Sequence, residues 1–422
     1  MHLPILRLLI LLQALCGMPC WAAASGTPAP PRQLVFWTMQ LAPFHNDYVT
    51  GLIARFEAQH PGVRVKWVDV PWAEMERKVL ASIAAGTAPD VVNLNPQFSS
   101  RLAELGALAD PRPHLSVDEV DAFLPPAWAA NQLAGVPFAL PWYLSTTVLL
   151  YRRDLLAQAG VAPPRSHAEL RTVARAIRER TGGYAWFPAM DGAAPLEAMV
   201  SMNGPLLTPD GCGPAFDNAA GAAVFDFYRE LYEQRWIPRS VLTEGHRNAV
   251  SQFLSGQVAM VSTGMQFIGQ VKKSNPQLYA QIGVAPQIDG PNARPNIAAM
   301  NVAVPSASKD AALAFRFAVF VTNARNQTEL ARRVPLLPSS RASYDDALFT
   351  VPSGDALLDE ARATSVRQAM NGMVQVPPLR RYHKLRISFV RQMQAAMIGR
   401  VTPTQAVQEI SRTWVPLLGC AP

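Results

Sequence analysis

The hydrophobic and polar positions in the first part of the chain follow two periods in turn, which predicts alternating strands and helices. Residues 34–38 and 63–68 have strand-like patterns, and residues 49–59 between them repeat apolar positions at three- and four-residue spacing. Residues 71–94 continue with a helical pattern, a Pro-Asp turn and an apolar run. This βαβα order is typical of an α/β fold with a parallel sheet.

Helical patterns recur through the rest of the chain and dominate its last third. They cover residues 98–105, 153–159, 166–180, 219–234, 247–255, 310–322, 355–372, 379–399 and 404–414. Strand patterns fall between them at residues 147–151, 258–262 and 301–304.

Two asparagines stand at the carboxyl end of the apolar run at residues 91–94. Asn93 and Asn95 bring amide side chains to the edge at which open α/β sheets bind ligands. Amides at such positions also satisfy the hydrogen bonds of a loop. The sequence leaves both roles open.

The start of the chain predicts a cleaved signal peptide. Arg7 supplies a basic region, residues 8–15 form an apolar run too short to span a membrane, and Ala22 and Ala24 favour cleavage after Ala24. Residues 25–32 are Pro-rich and predict a flexible leader. We therefore expect a periplasmic or surface-exposed protein.

The four cysteines of the chain fit an exported protein. Cys16 and Cys20 lie in the signal segment, where a lipid tether at either one is the alternative to a freely released protein. Cys212 and Cys420 remain in the mature chain, and an oxidising compartment would allow a disulfide between them. Two unpaired thiols are the alternative.

The charge of the chain argues against a nucleic-acid partner. Its formal value is +7, and removal of Arg7 leaves +6 on a mature chain of about 400 residues. The densest basic cluster, residues 379–386, fits the solvated face of a helix start, with an acidic partner as the alternative. The seven histidines are scattered and no nucleotide, nucleophile or metal motif is present, so neither cofactor nor metal is predicted.

Aromatic residues at turn-like positions indicate a sugar site, because a sugar ring stacks its C–H face on an aromatic ring. Trp142 and Tyr143 fit this role best, since Pro141 begins a non-helical connection just before the predicted strand at residues 147–151. Packing in the core is the alternative for each aromatic residue.

Seven motifs are distributed over nearly the whole mature chain. They are FWT (36–38), FEAQHPGVRVKWVDVPW (56–72), AAGTAPDVV (84–92), GALAD (106–110), GVPFALPWYLSTTVLLYRRDLLAQAG (135–160), FLSGQVAMVSTG (253–264) and GRVTPTQAV (399–407). In this order they closely resemble the extracellular solute-binding proteins of family 1, which includes the maltodextrin-binding protein. These are the sugar-binding subunits of ABC importers.

The resemblance implies an α/β, two-lobe periplasmic-binding-protein fold of type II-like topology, with a ligand cleft between the lobes and a helical C-terminal segment. After the signal peptide at residues 1–24 and the leader at 25–32, lobe one would take residues 33–141 and 301–342. Lobe two would take residues 142–300 and 343–422. A monomer would close on a sugar by a hinge motion and dock on the membrane permease, without catalysis.

Together with the aromatic positions, the resemblance implies cleft residues from both lobes. They are Trp37, Thr38, Gln40, Asn95, Gln97, Trp142, Tyr143, Ser145, Asp191, His246, Arg247, Gly264, Gln266, Phe267, Asn301 and Tyr382. Asp191 is the one carboxylate that we expect among them.

One departure from the family bears on the size of the ligand. Gly264 is followed by Met265, Gln266 and Phe267, where the family often has Gly-x-Trp. Either Phe267 replaces the stacking tryptophan or Gln266 makes this subsite polar. The departure favours a mono- or disaccharide, or a polyol glycoside, over a long oligosaccharide.

His246 and Arg247 leave the chemistry of the ligand open. They could bind hydroxyls or an anionic substituent, or they could cap or solvate a helix. A phosphorylated ligand would require converging cations, for which the sequence offers only Arg247 and Arg341. A secreted glycosidase and a carbohydrate sensor are the alternatives to a transport protein.

Overall fold

A computed structural model of the chain describes residues 31–290 and 293–419. The predicted signal peptide, most of the leader and Cys420 lie outside these residues. Cys212 lies in a turn, where its backbone N–H donates to Asp210 Oδ1 at 3.0 Å. The Cys212–Cys420 disulfide therefore stays a prediction.

The strands of the described region form two main sheets and one small hairpin. They are β1 (Arg32–Met39), β2 (Val63–Val70), β3 (Val91–Leu94), β4 (Gln132–Leu133), β5 (Val136–Pro137), β6 (Leu140–Thr146), β7 (Val148–Arg152), β8 (Tyr184–Trp186), β9 (Val258–Thr263), β10 (Ile282–Pro286), β11 (Ile297–Ala303) and β12 (Leu337–Pro338).

Helices account for most of the remaining chain. They are α1 (Asn46–Gln59), α2 (Met75–Ala84), α3 (Pro96–Glu104), α4 (Val117–Asp121), α5 (Pro125–Ala129), α6 (Arg153–Ala159), α7 (His167–Thr181), α8 (Ala194–Asn203), α9 (Ala219–Glu233), α10 (His246–Leu254), α11 (Gln266–Ser274), α12 (Pro276–Gln281), α13 (Ala311–Val321), α14 (Ala324–Arg333), α15 (Ala347–Thr350), α16 (Ala356–Asn371), α17 (Tyr382–Met397) and α18 (Pro403–Leu418). Short 3₁₀ turns lie at Trp72–Glu74, Arg112–His114, Arg239–Leu242 and Arg341–Asp345.

The first sheet has the strand order β12-β6-β11-β3-β1-β2. Its β1 is parallel to β2 and β3, whereas β11 is antiparallel to β3 and β6. All four residues of β3 are buried, because helices cover both faces of the sheet. Phe56 and Phe317 belong to the core on one face, and Met75 and Leu102 belong to the core on the other.

The second sheet has the strand order β10-β7-β9-β8. Here β7 is antiparallel to both of its neighbours, and β8 is parallel to β9. Helices α9, α17 and α18 pack together beside it, and Trp414 lies fully buried among them, with its indole N–H donating to Ser388 Oγ at 2.9 Å. The C-terminal helices therefore belong to the core of the second sheet.

Two strand pairs connect the sheets. β6 of the first sheet ends one residue before β7 of the second, and β11 of the first sheet follows β10 of the second. The predicted lobe boundaries at residues 141/142 and 300/301 fall inside β6 and β11. These two antiparallel strands are where a hinge would bend, and the boundaries stay a prediction.

Strand β6 corrects the expectation that Trp142 and Tyr143 lie in a connection. Pro141 lacks a backbone donor, but the pairing of β6 with β11 shifts register here: Met300 pairs with Tyr143 and Asn301 with Pro141, which leaves Trp142 as the extra residue on β6. The Pro141 carbonyl accepts a hydrogen bond from Ser339 Oγ at 2.6 Å. The strand thus accommodates a proline that, in the sequence, indicates a break.

Within residues 31–290 and 293–419, the structure has no helix with the length and apolar character needed to cross a membrane.

Candidate functional site

A cavity of about 800 Å³ opens between residues 72–105, which flank the first sheet, and Gly192 with residues 379–386, which flank the second. Its lining residues are Trp72, Glu76, Asn95, Gln97, Phe98, Ser100, Arg101, Glu104, Leu105, Gly192, Leu379, Arg381, Tyr382, His383, Lys384 and Arg386. The volume is within the range of small-ligand pockets. We call this space the interlobe cavity.

One wall of the interlobe cavity is the carboxyl edge of β2 and β3. Asn95 caps α3, because its side-chain oxygen accepts a hydrogen bond from the Phe98 backbone N–H at 2.8 Å. Pro96 occupies the first turn, so the cap and the proline together fix where α3 begins. Asn95 thus satisfies the backbone at the start of α3 and also lines the cavity, and its contact with a ligand stays a prediction.

Asn93 has only a structural role. It is fully buried, its Oδ1 accepts a hydrogen bond from the Met39 backbone N–H at 3.3 Å, and its Nδ2 donates to the Asn301 carbonyl at 3.1 Å. These contacts join β1, β3 and β11 across the sheet.

Trp72 is a cavity residue that the sequence analysis missed. It follows Pro71 at the carboxyl end of β2, and 39% of its surface is exposed. The rule that pointed to Asn95 applies equally to Trp72, because β2 is parallel to β1 and ends at the same edge as β3. Its ring places a tryptophan in the cavity, although none follows Gly264.

The opposite wall is the start of α17. The Tyr382 hydroxyl donates a hydrogen bond to the Gly192 carbonyl at 3.5 Å, and burial raises the pKa of this phenol to about 12. Arg381, which precedes α17, has a left-handed backbone conformation with φ 56°. Its backbone N–H donates to both carboxylate oxygens of Glu104, at 3.0 and 3.1 Å. This contact joins the two walls at one end of the cavity.

A carboxyl group that the sequence did not indicate lies near Tyr382. Glu197 of α8 is half-buried, and burial raises its pKa to about 7, while a hydrogen bond with Asn296 opposes the shift. Its negative charge is one of the factors that raise the pKa of Tyr382. A glutamate within an apolar helix gives no signal in the sequence, because its neighbours become known only when the helix is packed.

Asp191, His246 and Phe267 form a second group beside the interlobe cavity. Asp191 Oδ1 accepts a hydrogen bond from the His246 backbone N–H at 3.0 Å, and His246 Nε2 lies 3.0 Å from Thr263 Oγ1. The edge of the His246 ring meets Phe267, with centroids 5.2 Å apart. Burial lowers the pKa of His246 and Asp191 opposes this shift. Asp191 therefore stabilises the start of α10, and Gly192, the next residue, lines the cavity.

Gly264, Gln266 and Arg247 surround this group. A Cβ atom at Gly264 would lie 2.1 Å from Gln266 Oε1, so the Gln266 amide folds back over the glycine. Arg247 is exposed. None of the three is among the residues that line the interlobe cavity.

Three predicted ligand contacts are corrected, because their side chains are fully buried. Trp142 packs in the core of the first sheet, with its ring centroid 6.4 Å from that of Phe36. Thr38 Oγ1 donates to Asp69 at 2.6 Å and accepts from the Trp67 indole at 2.7 Å.

Asn301 is the third of these residues. Its Nδ2 donates to Ser99 Oγ at 3.0 Å, which joins β11 to α3. All three lie on strands or at strand ends, where sequence position alone does not show which face a side chain occupies.

Four other predicted contacts lie on the first sheet away from the lining of the interlobe cavity. Trp37, Tyr143 and Ser145 are half-buried, and Gln40 is exposed with φ 55° at the end of β1. Their contact with a ligand stays a prediction. Asn95, Gln97 and Tyr382 are the predicted residues that the structure brings to one cavity.

A second cavity, of about 850 Å³, lies between α5 and the segments 204–207 and 373–379. Its lining includes none of the predicted site residues and consists largely of Pro, Ala, Val and Leu side chains. It offers fewer hydrogen-bonding groups than the interlobe cavity. Within the described residues, no group of three His, Cys, Asp or Glu side chains is placed to hold a metal ion.

Comparison with known proteins decides the family. The model of the bacterial extracellular solute-binding protein family matches residues 44–328. The chain belongs to this family. The family comprises binding proteins rather than enzymes, as the sequence predicted.

Solved structures agree with this assignment. A crystal structure of a candidate oligosaccharide periplasmic-binding protein from Synechococcus sp. MITs9220, in complex with zinc, is 36% identical, with a TM-score of 0.85 over 91% of this chain and 98% of that one. The GacH receptor of Streptomyces glaucescens GLA.O, also crystallised with acarbose, is 25% identical, with a TM-score of 0.77 over 93% and 100% of the two chains. The predicted two-lobe α/β fold is confirmed.

A curated relative matches over a shorter length. It is a candidate binding protein from Brucella abortus, 27% identical over 243 residues, which cover 55% of this chain and 57% of that protein. The match thus spans little more than half the length of this relative.

Proposed function

We propose that this protein captures a sugar in the interlobe cavity and delivers it to the permease of an ABC importer. The observation that carries the proposal is the chemistry of the cavity, which combines exposed aromatic surface with amide and hydroxyl groups on two walls. Sugars need both, because their rings have apolar C–H faces and polar edges. The oligosaccharide and acarbose named for the Synechococcus and Streptomyces proteins support the same class of ligand.

Each wall has a distinct part in the proposed site. Trp72 and Phe98 provide aromatic surface on the first wall, and Gln97 adds an amide beside them. Tyr382 provides a neutral hydroxyl on the second wall, because a phenol keeps its proton at physiological pH and burial raises the pKa of this one further, to about 12. Movement about β6 and β11 would bring the two walls together around the sugar.

The length of the sugar is the finer part of the proposal. The absence of a tryptophan after Gly264 favours a mono- or disaccharide. Trp72 weakens this argument, because it supplies an aromatic surface on the other wall. We therefore place the ligand within a series that begins with monosaccharides and extends to short oligosaccharides.

The test is a thermal-shift and calorimetry series on the mature protein with these sugars. At least one sugar should raise the melting temperature progressively with concentration, as binding to the folded state requires. Trp72→Ala and Tyr382→Ala should each weaken binding at least tenfold. Phe44→Ala is the matched control, because Phe44 is 88% exposed and lies outside the cavity lining.

Three results would overturn the proposal. Stabilisation by an amino acid, a peptide or a metal but by no sugar would show that the substrate class is wrong. Recovery of the bound sugar as cleaved products would indicate a glycosidase. Loss of uptake of the identified sugar in a deletion strain would support transport, whereas unchanged uptake would favour a sensor.

A further inference from the structure

We propose that the saccharide carries a negative charge, as a carboxylate or a phosphate group, which the second wall of the interlobe cavity binds. This inference deepens the proposed function and rests on it. The inference depends on the basic segment 379–386, because the structure places this segment against a cavity instead of on an open surface.

The cations that the structure brings to the cavity differ from those that the sequence suggested. Arg381, Lys384 and Arg386 line the second wall, and Arg101 lines the first. Arg247 and Arg341 do not line the cavity, and the Arg341 Nε donates instead to the Phe123 carbonyl at 3.0 Å.

The carboxylates of the cavity leave part of this positive charge without a partner. Glu76 pairs with Arg101 at 3.0 Å, and Glu104 accepts hydrogen bonds from the Arg381 backbone N–H. These are the two acidic residues in a lining that has four fixed cations, so the cavity has an excess of two positive charges when His383 is neutral.

Lys384 and Arg386 are the cations most available to a ligand. Across residues 31–290 and 293–419, neither side chain takes part in a hydrogen bond or an ion pair, although Arg386 is half-buried. Its charge is close enough to Tyr382 to lower the pKa of that phenol. An anion bound there would supply the charge-assisted hydrogen bonds that both side chains lack.

The position of these cations in α17 gives a second, independent argument. Arg381 precedes the helix without a side-chain cap, and Lys384 and Arg386 follow in its first two turns. The N-terminus of a helix carries partial positive charge, so cations there are unfavourable for the stability of α17. A local conflict of this kind is typical of a functional site. A bound anion would interact favourably with both the partial positive charge of the helix N-terminus and the charges of the cations.

A small acidic ligand fits the surroundings better than an acidic protein surface. The cations share the cavity with Trp72, whose ring can stack a sugar within the same site. Glu197 is the carboxyl near Tyr382, but it does not line the cavity, and its raised pKa reduces its negative charge near neutral pH.

The test compares matched neutral and acidic sugars by calorimetry, at low salt and at high salt. Galactose is paired with galacturonic acid and glucose with glucose 6-phosphate, which separates a carboxylate from a phosphate. Inorganic phosphate alone is the probe for simple anion binding. The proteins are the wild type, Lys384→Gln, Arg386→Gln and the control Arg380→Gln, since Arg380 is exposed and does not line the cavity.

We expect the acidic member of at least one pair to bind at least tenfold tighter than its neutral partner, with a preference that shrinks as salt rises. Arg386→Gln or Lys384→Gln should remove most of this preference, because each should lower the affinity for the acidic sugar much more than that for the neutral sugar. Arg380→Gln should keep the preference. The melting temperature of each unliganded variant shows that it is folded.

Several results would overturn the inference. Equal or tighter binding of the neutral sugars would refute it while leaving the proposed sugar-binding function in place. Equal losses of affinity for neutral and acidic sugars in Arg386→Gln and Lys384→Gln would show that these cations do not distinguish acidic sugars from neutral ones. Binding of inorganic phosphate as tightly as the acidic sugars would indicate a simple anion site. Failure of every saccharide to bind would overturn the proposed function itself.

Discussion

At the scale of single residues, Asn95 shows how one side chain can serve both the fold and the site. We expect Asn95→Ala to lower the free energy of unfolding by about 1 kcal/mol, because α3 loses its cap. Urea denaturation measures this change. Asn248→Ala is the control, since Asn248 is exposed in α10, and its effect should stay within about 0.5 kcal/mol.

Asn95→Asp separates the cap from the ligand contact. An aspartate caps a helix as well as an asparagine does, so stability should be retained. A loss of sugar affinity at unchanged stability would then assign the amide a direct role in binding. If Asn95→Ala unfolds at the wild-type midpoint, the cap contributes nothing measurable.

The raised pKa of Glu197 should make the stability of the protein depend on pH. Its pKa is raised from 4.5 to about 7, so the folded protein holds a proton that the unfolded chain releases between these values. The free energy of unfolding therefore falls as pH rises through this window, by up to about 1.4 kcal/mol per pH unit. Glu197→Gln should remove this component and become increasingly more stable than the wild type from pH 5 to pH 7.

Thermal melts of both proteins across this range test the prediction. The raised pKa of Asp289, about 6, and the lowered pKa of His167, about 4, act in both proteins and cancel in the difference. Glu233→Gln is the control, because Glu233 is exposed at the end of α9. A constant difference between Glu197→Gln and the wild type from pH 5 to pH 8 would contradict the assignment.

At the scale of elements, α9 depends on a close backbone approach at Gly221. A Cβ atom there would lie 1.9 Å from the Phe216 carbonyl oxygen, so Gly221→Ala must displace the backbone before α9. We expect it to destabilise the protein by about 1–3 kcal/mol. Differential scanning calorimetry measures the change.

Gly269→Ala in α11 is the matched control for Gly221→Ala. No atom lies within 4 Å of a Cβ at this exposed position, so Gly269→Ala should stabilise the protein by about 0.5–1 kcal/mol through helix propensity. Destabilisation of similar size by both substitutions would show that the contact at Phe216 is not the cause.

At the scale of the whole molecule, β6 and β11 are the connections that a closing motion would bend. A saturating sugar should reduce the radius of gyration measured by small-angle X-ray scattering, because closure brings the two walls of the interlobe cavity together. At a sugar concentration that just saturates the wild type, Tyr382→Ala should show a smaller reduction, because its weaker binding leaves part of the protein unliganded. An unchanged radius for a wild-type protein shown by calorimetry to be saturated would argue against closure.

The sequence predicted most helices and strands because their signals are local. The apolar spacing of α7 and α9 and the alternation in β2 lie within single segments. β6 was missed because Pro141 indicates a break, and the partner strand β11, against which β6 shifts register at the proline, lies far away in the chain. The face of a strand is likewise decided by its partners, which is why Trp142 belongs to the core.

The sequence by itself determined the α/β order, the family and the sheet edge at which Asn95 and Gln97 lie, because these depend on local periodicity and on ordered motifs. Only the tertiary structure decided that Trp72 shares this edge and that the basic segment 379–386 faces it across a cavity. The physical reason is that a cleft is formed by residues distant in sequence. Its charge and shape exist only after the two sheets and the C-terminal helices have packed.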